Sequence, residues 1–524
     1  MVDRLYYFLN GLNSRWQNAL LFIAGVFSAL ALPPIYLLPF LLITFPVWLL
    51  LLERAATPKR AFVMGWMFGF GYFIAGLYWI AAALFVDIQR YWWILPFAVG
   101  GLPFLMSAYW GLAGMAWHYL QWRSWPKLVA FAAAFTVCEY LRGVIFSGFP
   151  WNYPGYVWTG FLPMLQSVAL FGVVGLTFVT VILATLPYLY ITRHYPHHRQ
   201  RRGYTITVLV IVLVMMAWGA GRLSHTASAA AHAPLIRIVQ PNVAQENKWT
   251  PSQLQKQRET LWSLSNAKNG SANPALVIWP ETAIALIDTM DVRLWQQQIQ
   301  DRLPQGAMLA TGVLEADMKD NGEPKFYNRL DVFNRQGEAS ARYAKSHLVP
   351  FGEYLPFEKY WPVKPPAVTA GSFSAGNGME TQKAGTFPSF SPLICYEVIF
   401  PDSIADRKNR PDFLLNVTND AWYGRTTGPF QHLAISQTRA VEQGLPLLRA
   451  ANTGVSAVID AQGRKIAMLN LGEMGRLDAP LPQKINATLF ARYGLLTLIF
   501  MLIVSVAIAF YGQRLQQHRP VSVN

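Results

Sequence analysis

Eight long apolar runs restrict this chain more than anything else in its sequence. They lie at about residues 16–32, 35–52, 61–86, 92–120, 128–146, 163–191, 204–218 and 493–511. A bilayer crossing takes roughly 20 apolar residues. Inside hydrocarbon, every backbone N–H and C=O must be paired within the protein, so only helices and closed barrels span. Runs of this length predict eight membrane-spanning helices. The first run follows Arg15, and Ala29-Leu30-Ala31 resembles a cleavage site, but a second run starts almost at once. That pattern favours an uncleaved helical hairpin over a removed leader.

Composition places the remaining residues. Only 14% of the 524 residues are charged, against roughly 25% in soluble domains. The deficit is confined to the apolar half, and residues 231–486 read as globular. The expected organisation is a transmembrane domain over 1–225, a globular domain over 226–488, and a final span with its tail over 489–524. The net charge of +15 would by itself invite a nucleic acid partner. The cations instead gather in alternate loops: Arg54, Lys59 and Arg60; Arg123 and Lys127; Arg193, Arg199, Arg201 and Arg202; then Arg514 and Arg519. The loops between them hold little charge, and residues 147–160 hold none. This bias orients membrane helices with both termini in the cytoplasm. The globular domain then lies on the far side, the periplasm of a Gram-negative cell, and no nucleic acid partner is expected. With Cys138 in an apolar run and Cys395 in the globular part, an intramolecular disulfide is not expected.

The fifth run holds Glu139 and Arg142, three apart on one helical face. An ionisable group in a span is a functional candidate by default, and a structural ion pair is the equal alternative. The turn-rich aromatic loop that follows, Gly148 to Tyr156, is expected at the membrane interface.

Within the globular part, strand-like and helix-like segments alternate. Strands are expected at 235–240, 275–281, 308–314, 327–333, 393–395 and 413–417, with two more inside 447–459. Helices are expected at 251–266, 291–303 and 431–443. The pattern predicts an α/β domain of layered sheets covered by helices. Three strand ends carry chemistry. Glu281 follows Trp279-Pro280, Lys345 sits in Tyr343-Ala344-Lys345-Ser346-His347, and Cys395 closes Ser391-Pro392-Leu393-Ile394. Alone, each has an ordinary structural use: a helix cap, a surface charge, a buried filler. Together they supply what thiol acyl transfer needs. The thiolate is the nucleophile, a carboxylate can take its proton, and a cation can stabilise the oxyanion. The backbone N–H of Tyr396 is a candidate second donor.

Trp279-Pro280-Glu281, Lys345 with Pro350-Phe351-Gly352-Glu353, and Cys395-Tyr396-Glu397 resemble the Glu-Lys-Cys signature of the nitrilase, or carbon–nitrogen hydrolase, superfamily. Glu139-Tyr140-Leu141-Arg142-Gly143, Gly148-Phe149-Pro150-Trp151 and Asn419-Asp420-Ala421-Trp422-Tyr423-Gly424 narrow the likeness to apolipoprotein N-acyltransferases. The resemblance implies an αββα sandwich, with Cys395 as nucleophile, Glu281 as general base and Lys345 as oxyanion cation. It also implies supporting roles for Glu353, Tyr396, Glu397, Asn328 and Trp249. The implied reaction passes an acyl group from a membrane phospholipid, phosphatidylethanolamine by expectation, through a thioester to the α-amine of a diacylglyceryl-cysteine apolipoprotein. It needs no metal and no cofactor, and a covalent intermediate predicts ping-pong kinetics. The apolar, Pro-rich residues 360–368 are expected to form a mobile lid or lipid-facing arm, with a packed surface loop as the alternative. A membrane-tethered amidase and a non-enzymatic sensor are the competing readings. Eight spans argue against a soluble amide substrate, and an intact Glu281, Lys345 and Cys395 against a degenerate domain.

Overall fold

A computed structural model describes residues 9, 11–192, 198–224, 232–266, 273–286, 289–318, 324–356 and 372–517. The chain divides into two compact units, one of residues 1–224 with 492–524 and one of residues 225–491. The expected arm at 360–368 lies outside the described residues.

Among the described residues of the first unit, six helices are long and apolar enough to cross a membrane: Pro58–Phe85, Phe97–Tyr119, Ser124–Ser147, Val168–Ile191, His198–Ser224 and Leu495–Gln516. They coincide with the third to eighth predicted spans. The first two predicted spans form shorter helices, Ser14–Ala29 and Leu38–Leu52. Their shortness has a local cause: Pro33 and Pro34 interrupt the chain between them, and proline supplies no N–H to continue a helix. The helix Pro58–Leu77 packs closely on Ser14–Ala29 through glycine. A Cβ on Gly71 would stand 1.9 Å from the Phe22 carbonyl oxygen, and one on Gly25 2.0 Å from that of Phe68. Small residues let membrane helices approach backbone to backbone, where dispersion rather than water exclusion holds them.

The second unit is built on two sheets. The strands of the larger sheet are β1 (Leu235–Gln240), β2 (Leu276–Ile278), β3 (Ile284–Leu286), β4 (Met308–Met318), β5 (Pro324–Phe333) and β6 (Ala339–Ala344), with β12 (Gly475–Pro480). Its order is β12-β1-β2-β4-β5-β6, and β3 pairs with β4. The smaller sheet has β7 (Phe390–Ile394), β8 (Phe413–Thr418), β9 (Leu447–Ala451), β10 (Ser456–Ile459) and β11 (Lys465–Leu469), in the order β11-β10-β9-β8-β7.

Strand alternation decides the layers, because successive side chains face opposite sides of a sheet. Ile236, Ile238, Leu276 and Ile278 point to one core, which they share with Ile394, Phe413, Leu415, Leu448 and Val458 of the smaller sheet. Val239, Val277 and Trp279 point the other way, onto Leu261 and Trp262 of helix Pro251–Ser265 and Trp295 and Ile299 of helix Thr289–Arg302. The amphipathic helix Gly428–Gln443 packs on the far side of the smaller sheet, where its His432 and Ser436 meet Arg449 of β9. The predicted α/β layers are therefore present, as helix, sheet, sheet, helix. Four strands went unpredicted: β3, β6, β11 and β12. They are short or carry charges and a proline, so their sequences lack the apolar runs of the buried strands.

Candidate active site

The site begins where β2, β6 and β7 end. Trp279 is buried beneath helix Pro251–Ser265, its indole N–H donating to Ser265 at 2.8 Å. Pro280 ends the strand, and Thr282 adopts a left-handed φ of +47°. Gly312 of β4 makes room for that turn, since a Cβ there would stand 2.5 Å from the Glu281 Cα. Glu281 is consequently buried. Its Oε1 accepts from Asn328 Nδ2 at 2.8 Å, and its Oε2 accepts from the Asn419 backbone N–H at 2.8 Å.

Lys345 follows β6 directly and its backbone N–H donates to the Asn328 carbonyl at 2.8 Å. Its ammonium is buried, 2.8 Å from Glu353 Oε1 and 3.7 Å from Glu281 Oε1. Burial works against that charge, but Glu353 and Glu281 outweigh it and hold the lysine above its ordinary range. Asn328 Nδ2 also reaches Glu353 at 3.1 Å, so one amide ties the two carboxylates together. Glu353 Oε2 in turn accepts from the Val349 N–H at 2.8 Å.

Cys395 stands just after β7 with a φ of +50°. A left-handed backbone costs a non-glycine residue roughly 1–2 kcal/mol, and it persists only where surrounding contacts enforce it. Glu397 supplies many of them. It accepts from Ile394 N–H, Tyr343 Oη–H, Ser346 N–H and Oγ–H, and His347 N–H, at 2.7–3.2 Å. One carboxylate thereby ties the Cys395 turn to the segment bearing Lys345. Burial pushes the Cys395 thiol up to about 12; Glu281 adds to the rise, and Lys345 opposes it. Tyr396 is buried with its ring edge-on to Phe400, 5.1 Å between centroids.

The structure thus brings Glu281, Lys345, Glu353 and Asn328 into one hydrogen-bonded array, with Cys395 in the field of Glu281 and Lys345. Trp249 is outside that array, 44% exposed, with its ring 5.9 Å from the Lys248 ammonium.

Lys248 itself was missed by sequence reasoning. It is buried and donates to the Glu281 carbonyl at 3.0 Å and the Thr282 hydroxyl at 2.5 Å. Burial draws it down to about 8, against the pull of Glu281 and Cys395. Its position beside Trp249 was the available signal. Asp420, His432 and Arg449 were also missed as a group. They come from a turn, a helix and a strand that only the fold assembles.

Glu139 and Arg142 lie in the first unit, fully buried and bidentate at 2.8 Å. Trp110 Nε1 donates to Glu139 at 2.9 Å, Arg142 Nη1 donates to the Phe149 carbonyl, and the Phe73 and Tyr153 rings lie 4.9 Å from the guanidinium. This network draws Phe149 and Tyr153 of the aromatic loop into the unit, where its rings pack rather than stand exposed. Trp151, Tyr153 and Tyr156 are buried, and Asn152 donates to the Gly76 carbonyl at 2.9 Å. Removing one partner of a buried pair strands the other's charge, so Glu139→Ala is expected to cost about 3–5 kcal/mol. A thermal unfolding scan in detergent checks it; an unchanged midpoint would contradict that paired role.

Comparison with known proteins follows the same division. Residues 24–186 match the family model described as the apolipoprotein N-acyltransferase N-terminal domain, and residues 235–488 match that of the carbon-nitrogen hydrolases. The apolipoprotein N-acyltransferase of Rhodopseudomonas palustris is 38% identical over 93% of this chain and 95% of its own length. That of Brucella melitensis is 37% identical over 97% of both chains. With both matched domains in this order, and relatives this similar along nearly its whole length, the chain belongs to the apolipoprotein N-acyltransferase family.

Proposed function

We propose that this chain is a membrane enzyme that N-acylates lipoproteins, taking the acyl group from a membrane lipid and passing it through a thioester on Cys395. The observation that carries this reading is the buried Glu281–Lys345–Glu353 array beside a thiol presented at a strained strand end.

The chemistry follows from those positions. In the first step the Glu281 carboxylate takes the thiol proton as the sulfur bonds to the ester carbonyl carbon. The carbonyl electrons move to oxygen, where the Lys345 ammonium and the Tyr396 N–H stabilise the developing charge. Collapse expels the lysolipid alkoxide, which recovers the proton from Glu281, and the thioester remains. In the second step the α-amine of the diacylglyceryl-cysteine attacks that thioester, Glu281 takes its proton, and Cys395 leaves as a thiolate that is reprotonated. A thiol held near 12 is mostly protonated at neutral pH, so the base is needed at the moment of attack rather than before it.

Membrane anchorage suits this donor. Each CH₂ of an acyl chain drawn into water costs about 0.8 kcal/mol, which a membrane enzyme avoids. Within this proposal the donor is phosphatidylethanolamine and the protein lies in the bacterial inner membrane. Both termini are cytoplasmic and the catalytic unit periplasmic, as the alternating loop charges support.

Intact-mass measurement tests the reading. Detergent-purified protein mixed with phosphatidylethanolamine and no acceptor is expected to gain one fatty acyl group. Hydroxylamine should release it, and a diacylglyceryl-cysteine peptide should discharge it. No adduct with any phospholipid, together with turnover of a small amide, would favour the tethered amidase.

A further inference from the structure

We propose that His432 is a positioning residue that aims the oxyanion-binding N–H of Tyr396 by holding the other end of the same peptide unit. This inference rests on the acyl-enzyme reading of Cys395 and on the Tyr396 N–H as an oxyanion donor.

The geometry is local and fully buried. His432, on helix Gly428–Gln443, places Nε2 3.2 Å from the Cys395 carbonyl oxygen. A carbonyl oxygen can only accept, so this contact places the hydrogen on Nε2: in the neutral ring Nδ1 then accepts from Arg449 Nη2, and in the imidazolium Nδ1 also donates to Asp420. The carbonyl of Cys395 and the N–H of Tyr396 belong to one planar peptide and point in opposite directions. Fixing the oxygen therefore fixes the direction of the N–H. A hydrogen bond accepted by the carbonyl also polarises the peptide, which strengthens what its N–H can donate.

His432 is itself held. Its Nδ1 lies 2.9 Å from Asp420 Oδ1 and 3.1 Å from Arg449 Nη2. Arg449 Nη2 donates to Asp420 Oδ2 at 2.6 Å, and its Nη1 donates to Asn416 Oδ1 and Ser436 Oγ. Thr418 Oγ1 donates to Asp420 Oδ1 at 2.9 Å. The Tyr423 ring meets His432 edge-on at 5.6 Å, and its hydroxyl lies 4.0 Å from the Cys395 sulfur. Asp420, His432 and Arg449 are each 0% exposed. A turn and a strand thus hold the helical side chain that meets this backbone oxygen, and the oxygen belongs to Cys395, whose φ is left-handed. Glu397 grips the peptide N–H of Ile394 on the near side of Cys395, while His432 grips the carbonyl on the far side. Burial and the Arg449 charge draw the imidazole below its ordinary range, with Asp420 opposing them.

Two rates separate this role from general support of the fold. Acylation by phosphatidylethanolamine passes through an oxyanion; alkylation of Cys395 by iodoacetamide does not. His432→Phe keeps the ring against Tyr423 and removes the donor, and His432→Leu is a second donor-less variant. In either, acylation is expected to fall about 100-fold at saturating lipid with little change in KM, the scale of losing one oxyanion donor. Alkylation should stay within about threefold of wild type, because it needs only the thiolate. His432→Gln, which offers an N–H at similar reach, should recover at least about tenfold of the acylation rate. Wild-type acylation in a donor-less variant, or alkylation falling in step with acylation, would overturn the inference. If the wild-type protein itself formed no adduct, the acyl-enzyme reading would fail and this inference with it. A wild-type adduct with an unaffected His432→Phe would sink this inference alone.

Discussion

Cys395→Ala is expected to lose acyl transfer from phosphatidylethanolamine to a diacylglyceryl-cysteine peptide by at least about 10⁴-fold, the scale of deleting a covalent nucleophile. The loss should come with a folded protein. The substitution removes one sulfur from a site whose turn is fixed by other groups, Glu397 on Ile394 and His432 on the Cys395 carbonyl. The left-handed φ is as costly for alanine as for cysteine, so the backbone strain is unchanged. Product formation read by mass spectrometry, beside a thermal midpoint, checks both halves. Retention of more than about 1% of wild-type turnover would mean that transfer does not proceed through this thiol. Hydroxylamine-labile acyl label should also be absent, which separates loss of the nucleophile from loss of lipid binding.

The second large effect distinguishes the two charges beside the thiol. Glu281→Gln and Lys345→Met should each reduce acylation by about 10²–10⁴-fold, one as a lost base and the other as a lost oxyanion cation. Their effects on iodoacetamide labelling should have opposite signs. Glu281 raises the Cys395 thiol and Lys345 lowers it. Removing the Glu281 charge therefore lowers the thiol pKa, leaves more thiolate at fixed pH and speeds labelling. Removing the Lys345 charge raises the thiol pKa and slows labelling. In the wild type, a thiol pushed up to about 12 should label about tenfold faster per pH unit from pH 8 upward, with no plateau below about pH 10. A plateau near pH 7 would show a preformed thiolate and remove the need for Glu281 as base. Matching changes in both variants would show that the two side chains act by holding shape rather than by charge.

The sequence carried the parts of this protein that depend on local pattern. Long apolar runs have one solution in a bilayer, so six of the eight predicted spans match helices long enough to cross it. The other two come out shorter at the prolines between them, which supply no N–H to continue a helix. The principal buried strands were legible because a strand covered on both faces is mainly apolar, as β2 is throughout and as β7 and β8 are apart from Ser391, Asn416 and Thr418. Glu281, Lys345 and Cys395 were legible as strand-end residues, and a likeness to a known signature grouped them.

Tertiary structure decided what lies between those residues. No spacing in the chain shows that Asn328 bridges Glu281 to Glu353, because β5 meets them only through pairing across the larger sheet. Glu397 reads as an ordinary acid two residues after Cys395, yet it anchors residues 343–347 through bonds between segments some 50 positions apart. Lys248 and the Asp420–His432–Arg449 group are polar residues with no periodic signal, buried only because the fold satisfies their charges together. The aromatic loop after Arg142 shows the same limit. Composition assigns tryptophan and tyrosine to an interface, whereas a buried guanidinium draws Tyr153 inward. Backbone propensity and apolar pattern act over a few residues and can be read in order. A buried charge is stable only where partners from distant segments meet it, and that meeting exists only in three dimensions.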